Sequence, residues 1–168
     1  MGVDERFAAT FHYDDKGTLT SIDHPGGGTD RFCLDEAGLP LEINYANGLV
    51  SKRAYDSRCR LKELNEMGRV VSYIYDERER IRSISFPSGV VEYSYDANGN
   101  VLSTTDPMGN ISCFKYDEKD HLIQVTDSLG GVSSYEYSHS GGLVKITLPN
   151  GSTREIQYDE FERPVALR

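Results

Sequence analysis

The chain has 168 residues, a mass of 18.8 kDa and a net charge of −9, from 27 acidic and 18 basic side chains. This length suits one ordinary domain, and the acidic balance argues against a nucleic-acid or anionic-membrane binder, since both ligands require clustered Lys and Arg. No run approaches the roughly 18 apolar residues of a membrane span, and the three cysteines are too few and too scattered for a disulfide framework.

The first segment, residues 1–10, is predicted to be a lead-in or a partial repeat. Acidic residues stand at Asp4 and Glu5, where a secretory signal is basic, and no apolar stretch follows them. The chain is therefore predicted to carry no signal peptide.

From residue 11 onward one unit repeats to the end of the chain, and we predict that residues 11–168 form one domain of eight repeats. The dipeptide Tyr-Asp recurs, with Leu34-Asp35 and Tyr137-Ser138 as degenerate copies, and successive anchors are 20 or 21 residues apart. The anchors stand at positions 13, 34, 55, 75, 95, 116, 137 and 158. The predicted anchor residues are Tyr13, Asp14, Tyr55, Asp56, Tyr75, Asp76, Tyr95, Asp96, Tyr116, Asp117, Tyr137, Tyr158 and Asp159.

Each anchor is predicted to end a β-strand. An aromatic residue stands two positions before most anchors, as in Tyr93-Ser94-Tyr95. Residues i and i−2 lie on the same face of a strand, so each repeat offers an aromatic pair to one side of a sheet. This ladder has two interpretations: cross-strand packing within the sheet, which we favour, or a surface that stacks on sugars or grips a client.

An Asp/Gly turn follows each anchor, and we call it the anchor turn. It leads to a second strand that begins with an aliphatic residue, as at Leu19, and has another three positions later, as at Ile22. A second turn, rich in Pro and Gly, returns the chain to the next repeat, and we call it the return turn. The predicted turn glycines are Gly17, Gly38, Gly99, Gly109, Gly130 and Gly151.

Two segments depart from this pattern. Residues 54–70 carry Leu61 and Leu64 among charges, which is also compatible with a helix, but the in-phase anchor favours a diverged repeat. Residues 26–28, Gly-Gly-Gly, are interpreted as an enlarged return turn. The fold is therefore predicted to be all-β, with tandem antiparallel β-hairpins of about 21 residues forming a curved or spiralling sheet.

No constellation of residues indicates catalysis, a cofactor or a metal. The four histidines are far apart and lack metal-ligand spacing. Cys33, Cys59 and Cys113 are predicted to be buried small hydrophobic residues in preference to nucleophiles. The stretch from Asp96 to Asn100 has an Asp and a Gly in common with a calcium loop, but an Asx turn explains it better.

The repeat resembles the YD repeat of Rhs-family proteins. The clearest copy runs from Tyr93 through Tyr95-Asp96 and Gly99 to Asp106-Pro107-Met108-Gly109-Asn110. The resemblance implies a strip of β-hairpins that winds into a hollow shell, which in bacterial polymorphic toxins and toxin-complex cocoons encloses a C-terminal toxin. Those relatives also carry a longer array, a self-cleaving core and a variable toxic tail, which this sequence does not contain.

Two functions follow from the resemblance. The first is a non-catalytic structural segment of a shell that encapsulates or presents a toxin, with further repeats or the toxin domain of the parent polypeptide as partners. The second is a carbohydrate- or protein-binding module that uses the Tyr-rich face. We expect export or a cell-surface location as part of a larger bacterial protein, self-association through open sheet edges, and no nucleic-acid partner.

Overall fold

The structure, a computed structural model, describes residues 8–168, and these residues form strands and turns without a helix. The prediction of an all-β chain of tandem antiparallel hairpins is therefore confirmed. Of the expected lead-in, residues 1–7 lie outside the described residues, and Thr10 already begins the first strand. Within the described part of the chain there is also no helix long and apolar enough to cross a membrane.

The chain divides into two compact units, Met1–Ser88 and Gly89–Arg168. The first contains four anchors and the second contains the other four. The organisation of residues 11–168 as one domain stays a prediction.

The first unit is an antiparallel sheet whose strands follow one another in chain order, each pairing with the next. Its strands are β1 (Thr10–Tyr13), β2 (Leu19–Asp23), β3 (Thr29–Leu34), β4 (Pro40–Asn44), β5 (Val50–Tyr55), β6 (Leu61–Glu66), β7 (Arg69–Tyr75) and β8 (Ile81–Phe86). Residues 54–70 thus comprise the end of β5, all of β6, the start of β7 and the turns between them, in agreement with the repeat phase.

The second unit has the same meander. Its strands are β9 (Gly89–Tyr95), β10 (Val101–Thr105), β11 (Ile111–Tyr116), β12 (Leu122–Thr126), β13 (Val132–Tyr137), β14 (Leu143–Thr147), β15 (Thr153–Tyr158) and β16 (Pro164–Leu167). Each anchor is the last residue of an odd-numbered strand, as the sequence predicts.

A β-bulge follows the start of the second strand of each hairpin. Tyr13 pairs with Leu19 while His12 pairs with Ser21, so Thr20 is an extra residue without a partner. The same shift occurs beside Tyr55, Tyr75 and the other anchors. The bulge explains the three-residue spacing of the aliphatic positions, because the extra residue returns both of them to the face that carries the aromatic pair.

Five of the seven return turns have the same length. In the turn after β10, the Asp106 amide donates to the Asn110 carbonyl at 3.0 Å and the Gly109 amide donates to the Asp106 carbonyl at 2.9 Å. His24 and Gly28 are joined by the same amide-to-carbonyl bond at 3.0 Å. The expectation of an enlarged Gly-Gly-Gly turn is therefore wrong. A Cβ at Gly28 would lie 2.8 Å from the Cβ of Ala46, so close approach of two neighbouring turns accounts for the third glycine.

Each unit is a single layer of sheet, and burial is correspondingly shallow. Among the described residues Ile43 is the one buried hydrophobic side chain, at 7% exposure, and the buried polar residues are Ser51 and Ser83. Most of the aromatic and aliphatic residues on the face that carries the anchors are half-buried. Stability therefore depends on side chains of one hairpin covering those of the next.

Candidate functional site: the Tyr–Asp anchors

The anchor aspartate closes the turn that follows it. Oδ1 of Asp14 accepts hydrogen bonds from the backbone amides of Lys16 at 2.9 Å and Thr18 at 2.8 Å. Oδ1 of Asp56 makes the same pair of bonds with the amides of Arg58 and Arg60. The pattern recurs at Asp35, Asp76, Asp117 and Asp159. An aspartate is suited to this task because a short side-chain oxygen reaches amides two residues ahead.

The second carboxylate oxygen binds the side chain five residues after the anchor, which we call the clamp position. Arg60 Nε donates to Asp56 Oδ2 at 2.8 Å, and the same bond is 2.7 Å long between Arg80 and Asp76. Nδ1 of His121 lies 3.0 Å from Asp117 Oδ2. Asn100 and Arg163 make the equivalent contacts with Asp96 and Asp159. A side-chain donor at the clamp position thus binds the carboxylate oxygen that the backbone amides of the turn leave free.

These contacts stabilise the ionised carboxylates. The hydrogen bond from the Arg60 side chain lowers the pKa of Asp56 to about 2. The side chain of Arg163 is likewise the main cause that lowers the pKa of Asp159. Both carboxylates therefore stay charged well below neutral pH.

The anchor tyrosine links its own hairpin to the preceding one. The hydroxyl of Tyr75 donates to the carbonyl of Leu61 at 2.8 Å, and that of Tyr55 donates to the carbonyl of Pro40 at 3.0 Å. In the second unit, Tyr137 and Tyr158 bind the carbonyls of Leu122 and Leu143, both at 2.9 Å. Each acceptor is the first residue of the second strand in the preceding repeat.

The ring of the tyrosine packs on the clamp residue of the preceding repeat. The guanidinium carbon of Arg60 lies 4.3 Å from the ring centre of Tyr75, and His121 stacks on Tyr137 with ring centres 4.7 Å apart. Burial in this contact raises the pKa of both tyrosine hydroxyls. Asp, clamp residue and the next Tyr therefore form one chain of contacts across the junction between two repeats.

Some junctions use other contacts. Leu34 has no hydroxyl, and Tyr116 makes no such bond within the described residues. Beside Tyr116, however, the two anchor turns are joined directly, because Asn98 and Asn100 both donate to Oδ1 of Asp120, at 2.9 and 2.6 Å. At this junction the bonds to Asp120 link the two repeats in place of the tyrosine hydroxyl.

The residue four positions after each anchor has a left-handed backbone. Its φ is 81° at Gly17, 83° at Gly38 and 105° at Gly99. Cys59 has the same conformation, with φ of 61°. Glu79, Asp120, Gly141 and Glu162 complete the set. The predicted return-turn glycines, Gly109, Gly130 and Gly151, also have positive φ.

Comparison with known proteins agrees with this repeat geometry. The RHS Repeat family matches residues 75–111 and 116–153, and both matches begin at an anchor tyrosine. These two segments are therefore RHS repeats. None of the curated proteins matches it in sequence.

Solved structures with the same fold come from toxin complexes. A crystal structure of TcdB2-TccC3 without its hypervariable C-terminal region matches 95% of this chain at 16% identity, with a TM-score of 0.66. The TcdB2-TccC3-TEV structure matches 95% at 17% identity, with a TM-score of 0.59. The chain spans 11% of the length of either neighbour, so the likeness concerns a stretch of RHS repeats and its fold.

The cysteines of the chain lie outside the half-buried apolar rows. Cys33, Cys59 and Cys113 are all exposed and unpaired. The expectation that they are buried is therefore wrong. Cys33 directly follows Phe32 in β3, and alternation along a strand turns it away from the aromatic face. Cys59 takes the place of a turn glycine, and a residue at the tip of a hairpin is open to solvent.

Three of the four histidines make separate contacts with aspartates. His12 lies 2.7 Å from Asp23, His24 lies 3.0 Å from Asp30, and His121 belongs to the clamp described above. No group of three or more His, Cys, Asp or Glu side chains that would hold a metal occurs in the residues that the structure describes.

A groove near the anchors lies between two RHS repeats of the second unit. It has a volume of about 520 Å³, and its lining includes Asp117, Glu118, His121, Glu136 and Tyr137. Several titratable side chains thus converge in this groove, and such a cluster is typical of a binding or catalytic site. Two of them, Asp117 and His121, already bind each other as anchor and clamp residue.

The clamp residues are the part of the site that the sequence analysis missed. They occupy a fixed position, five residues after each anchor, and five of the eight carry a side chain that binds the aspartate. Aligning the repeats on Tyr-Asp brings Arg60, Arg80 and Arg163 into one column. That column was the available signal.

Proposed function

We propose that this chain is a stretch of the wall of an RHS-repeat shell, and that the shell encloses or presents a C-terminal toxin carried by a larger polypeptide. The observation that supports this most directly is the task of each anchor. Tyr75 binds the preceding repeat and Asp76 closes its own turn. The most regular side chains of the chain therefore hold hairpins to one another, which is the task of a structural array.

The likeness to toxin complexes supports a larger parent polypeptide. The chain matches about a tenth of each TcdB2-TccC3 chain, and one of these neighbours is described as lacking a hypervariable C-terminal region. By likeness of fold, we propose that the toxin occupies a similar C-terminal region of the parent protein. Export or a cell-surface location in a bacterium belongs to the same proposal.

We further propose that these repeats perform no catalysis. The groove beside His121 meets the simplest criterion for an active site, since several titratable groups line it. His121, however, takes the position that Arg60 and Arg80 occupy in other repeats, where the side chain binds its aspartate. A structural origin of the Asp–His pair therefore explains the convergence without a substrate.

Limited proteolysis of the parent polypeptide, followed by mass analysis of the fragments, tests the enclosure. We expect the region after residue 168 to resist cleavage while the array is intact. Asp56→Ala should open a turn and expose that region, because the amides of Arg58 and Arg60 lose their acceptor. Asp15→Ala, which removes an exposed carboxylate without hydrogen bonds in the described residues, serves as the control. Equal cleavage of the region in the parent and in isolation would contradict enclosure.

A carbohydrate- or protein-binding role is the second candidate, and the groove favours it specifically. Tyr135 offers a ring for stacking, and the carboxylates of Glu118 and Glu136 offer hydrogen-bond acceptors for hydroxyl groups. A glycan array with the chain of 168 residues tests this role. A defined ligand that Tyr135→Ala no longer binds would favour recognition, and the absence of any ligand on the array would favour the wall alone.

A further inference from the structure

Two neighbouring return turns of the first unit differ in length, and a cavity lies between them. The turn after β4 contains the five residues Tyr45–Leu49, whereas the turn after β6 consists of Met67 and Gly68 alone. The cavity has a volume of about 280 Å³. Its lining comprises Tyr45, Asn47, Leu49, Val50, Ser51, Glu66 and Met67. It therefore lies among inner repeats of the first unit and shares no residue with the groove next to His121.

The preceding pair of return turns is joined by a hydrogen bond at the equivalent place. Asp30 faces Ile22 in the sheet as Ser51 faces Ile43, so Asp30 and Ser51 occupy the same position in successive repeats. Oδ1 of Asp30 accepts a hydrogen bond of 2.7 Å from the amide of Ala46 in the next turn. The turn that follows Ser51 is the shorter one, and Ser51 makes no corresponding bond within the described residues. A contact between turns in one repeat is thus replaced by a cavity in the next.

Ser51 is the most deeply buried residue of the lining. Its exposed fraction is 1%, and its Oγ has no hydrogen-bond partner among residues 8–168. A buried hydroxyl without a partner costs free energy, which a water molecule or a group of a ligand can recover. Because Ser51 also lines the cavity, a molecule bound there is placed to supply that partner.

The carboxylate of Glu66 is the second polar group of the cavity. Glu66 lies directly opposite Ser51 in the neighbouring strand β6, so the two side chains share one face of the sheet. Glu66 is exposed and makes no hydrogen bond or ion pair with its side chain within the described residues. A carboxylate without a cationic partner, next to a hydroxyl without a partner, favours a ligand that is positively charged and donates hydrogen bonds.

The walls of the cavity are apolar. Leu49, Val50 and Met67 contribute aliphatic side chains, and Tyr45 contributes an aromatic ring. Met67 is 75% exposed, so a ligand that covers it removes apolar surface from water. The volume lies just below the range of roughly 300–1,000 Å³ that is usual for small-molecule sites. The cavity therefore suits a small ligand with an apolar body.

We propose that this cavity binds a small organic amine, in which an ammonium group is joined to an aromatic or aliphatic body. The ammonium group donates to the carboxylate of Glu66 and to Oγ of Ser51, and the body lies between Leu49 and Met67. The proposal concerns residues 45–67 of the first unit and holds whether or not the array encloses a toxin.

Titration of the isotopically labelled chain of 168 residues with phenethylamine, followed by NMR of the backbone amides, tests the site. This probe has an ammonium group, a ring and about nine non-hydrogen atoms, so we expect a Kd of roughly 1 mM. Phenethyl alcohol is the neutral control, and hydrocinnamate is the anionic one. The amide signals of Ser51, Glu66 and Met67 should shift to saturation with the amine, several-fold more weakly with the alcohol, and not with the anion.

Three substitutions assign the binding to the two polar groups. Glu66→Gln should weaken binding of the amine roughly 3- to 10-fold, the effect of one hydrogen bond, and leave binding of the alcohol almost unchanged. Ser51→Ala should weaken both probes by a similar factor without lowering the thermal stability of the free chain, because no hydrogen bond is lost. Glu63→Gln is the matched control, since Glu63 lies in the same strand on the opposite face and outside the lining.

Several results would overturn the proposal. One is equal affinity for amine, alcohol and anion, and another is an affinity of Glu66→Gln for the amine that equals that of wild type. Shifts that spread over the sheet without saturation at Ser51 and Met67 would have the same meaning. A Ser51→Ala chain that binds both probes as wild type does would also overturn it, because Ser51 would then not belong to the site.

Discussion

The hydroxyl of Tyr75 and the carbonyl of Leu61 form a 2.8 Å hydrogen bond between one hairpin and the hairpin before it. The acceptor lies beside a bulge, because Leu61 pairs with Tyr55 while Glu63 pairs with Ala54. The tyrosine thus serves a different purpose from the aspartate that follows it. Asp76 acts within its own turn, and Tyr75 acts between repeats.

Removing that hydroxyl should destabilise the first unit. Tyr75→Phe leaves the Leu61 carbonyl without its partner, and we expect the free energy of unfolding to fall by about 0.5–1.5 kcal/mol. Tyr73→Phe is the matched control, since Tyr73 lies on the same face of β7 and its hydroxyl makes no hydrogen bond within the described residues. Urea unfolding of both variants measures the difference. Equal losses from the two substitutions would mean that the bond to Leu61 contributes nothing.

Turn positions that lack glycine should gain stability from it. Cys59 holds a left-handed φ of 61°, a conformation that costs an L-residue roughly 1–2 kcal/mol. Cys59→Gly removes this strain and makes the unfolded chain more flexible, so we expect a net gain of about 0–1 kcal/mol in the free energy of unfolding.

The reciprocal change at Gly38 is the control for that prediction. Gly38 occupies the same position one repeat earlier, with φ of 83°, and a Cβ there would meet no atom within 4 Å. Gly38→Ala therefore introduces the backbone strain without a clash and should lower the free energy of unfolding by about 1 kcal/mol. Thermal unfolding of both variants in parallel checks the pair. A loss at Cys59→Gly that matches the loss at Gly38→Ala would contradict the expectation.

Much of this architecture can be predicted from local sequence signals. The features that were not predicted depend on the pairing register of neighbouring strands. The spacing of the Tyr-Asp anchors and the alternation of apolar and polar residues locate the hairpins, because both turns and strands are determined by residues close together in sequence. The bulge at Thr20 has no residue type of its own, and it emerges only once two strands are paired. The exposure of Cys33 follows from the alternation of side chains along β3, which can be read from the sequence. The prediction of burial gave more weight to the general preference of cysteine for the protein interior.

The contact between a clamp residue and the next anchor tyrosine was not predicted for a related reason. Arg60 is close to Asp56 in sequence, which predicts an ion pair, but its packing beneath Tyr75 joins residues 15 apart. Such a contact is visible only when one repeat is placed beside the next. The groove next to His121 likewise depends on two repeats and has no signature within either.

Acidification should weaken the turn closed by Asp56. The folded pKa of about 2 lies below the usual value of an aspartate, so the charged form is favoured by folding. The resulting stability is complete above the pKa of the unfolded aspartate, roughly 3.9, and is lost as pH falls toward 2. Asp56→Asn keeps an acceptor but no charge and should therefore make stability less dependent on pH in this window.

Urea unfolding at several pH values between 2 and 5 measures that dependence. Asp15→Asn is the control, because Asp15 makes no hydrogen bond within the described residues and should leave the pH profile of wild type almost unchanged. A profile of Asp56→Asn as steep as that of wild type would show that other groups cause the acid loss.

The glycines of the return turn after β2 should differ sharply in their tolerance of alanine. At Gly28 a Cβ would lie 2.8 Å from the Cβ of Ala46, and φ is 94°, so Gly28→Ala combines a steric clash with backbone strain. We expect it to cost about 1–3 kcal/mol of the free energy of unfolding. Gly26, two residues earlier in the same turn, has neither a positive φ nor an atom within 4 Å of its Cβ position. Gly26→Ala should therefore be neutral or stabilise the protein by up to about 1 kcal/mol, because alanine lowers the entropy of the unfolded chain. Urea unfolding of the two variants separates packing between neighbouring turns from a general need for glycine, and similar losses at both positions would refute the role of Ala46.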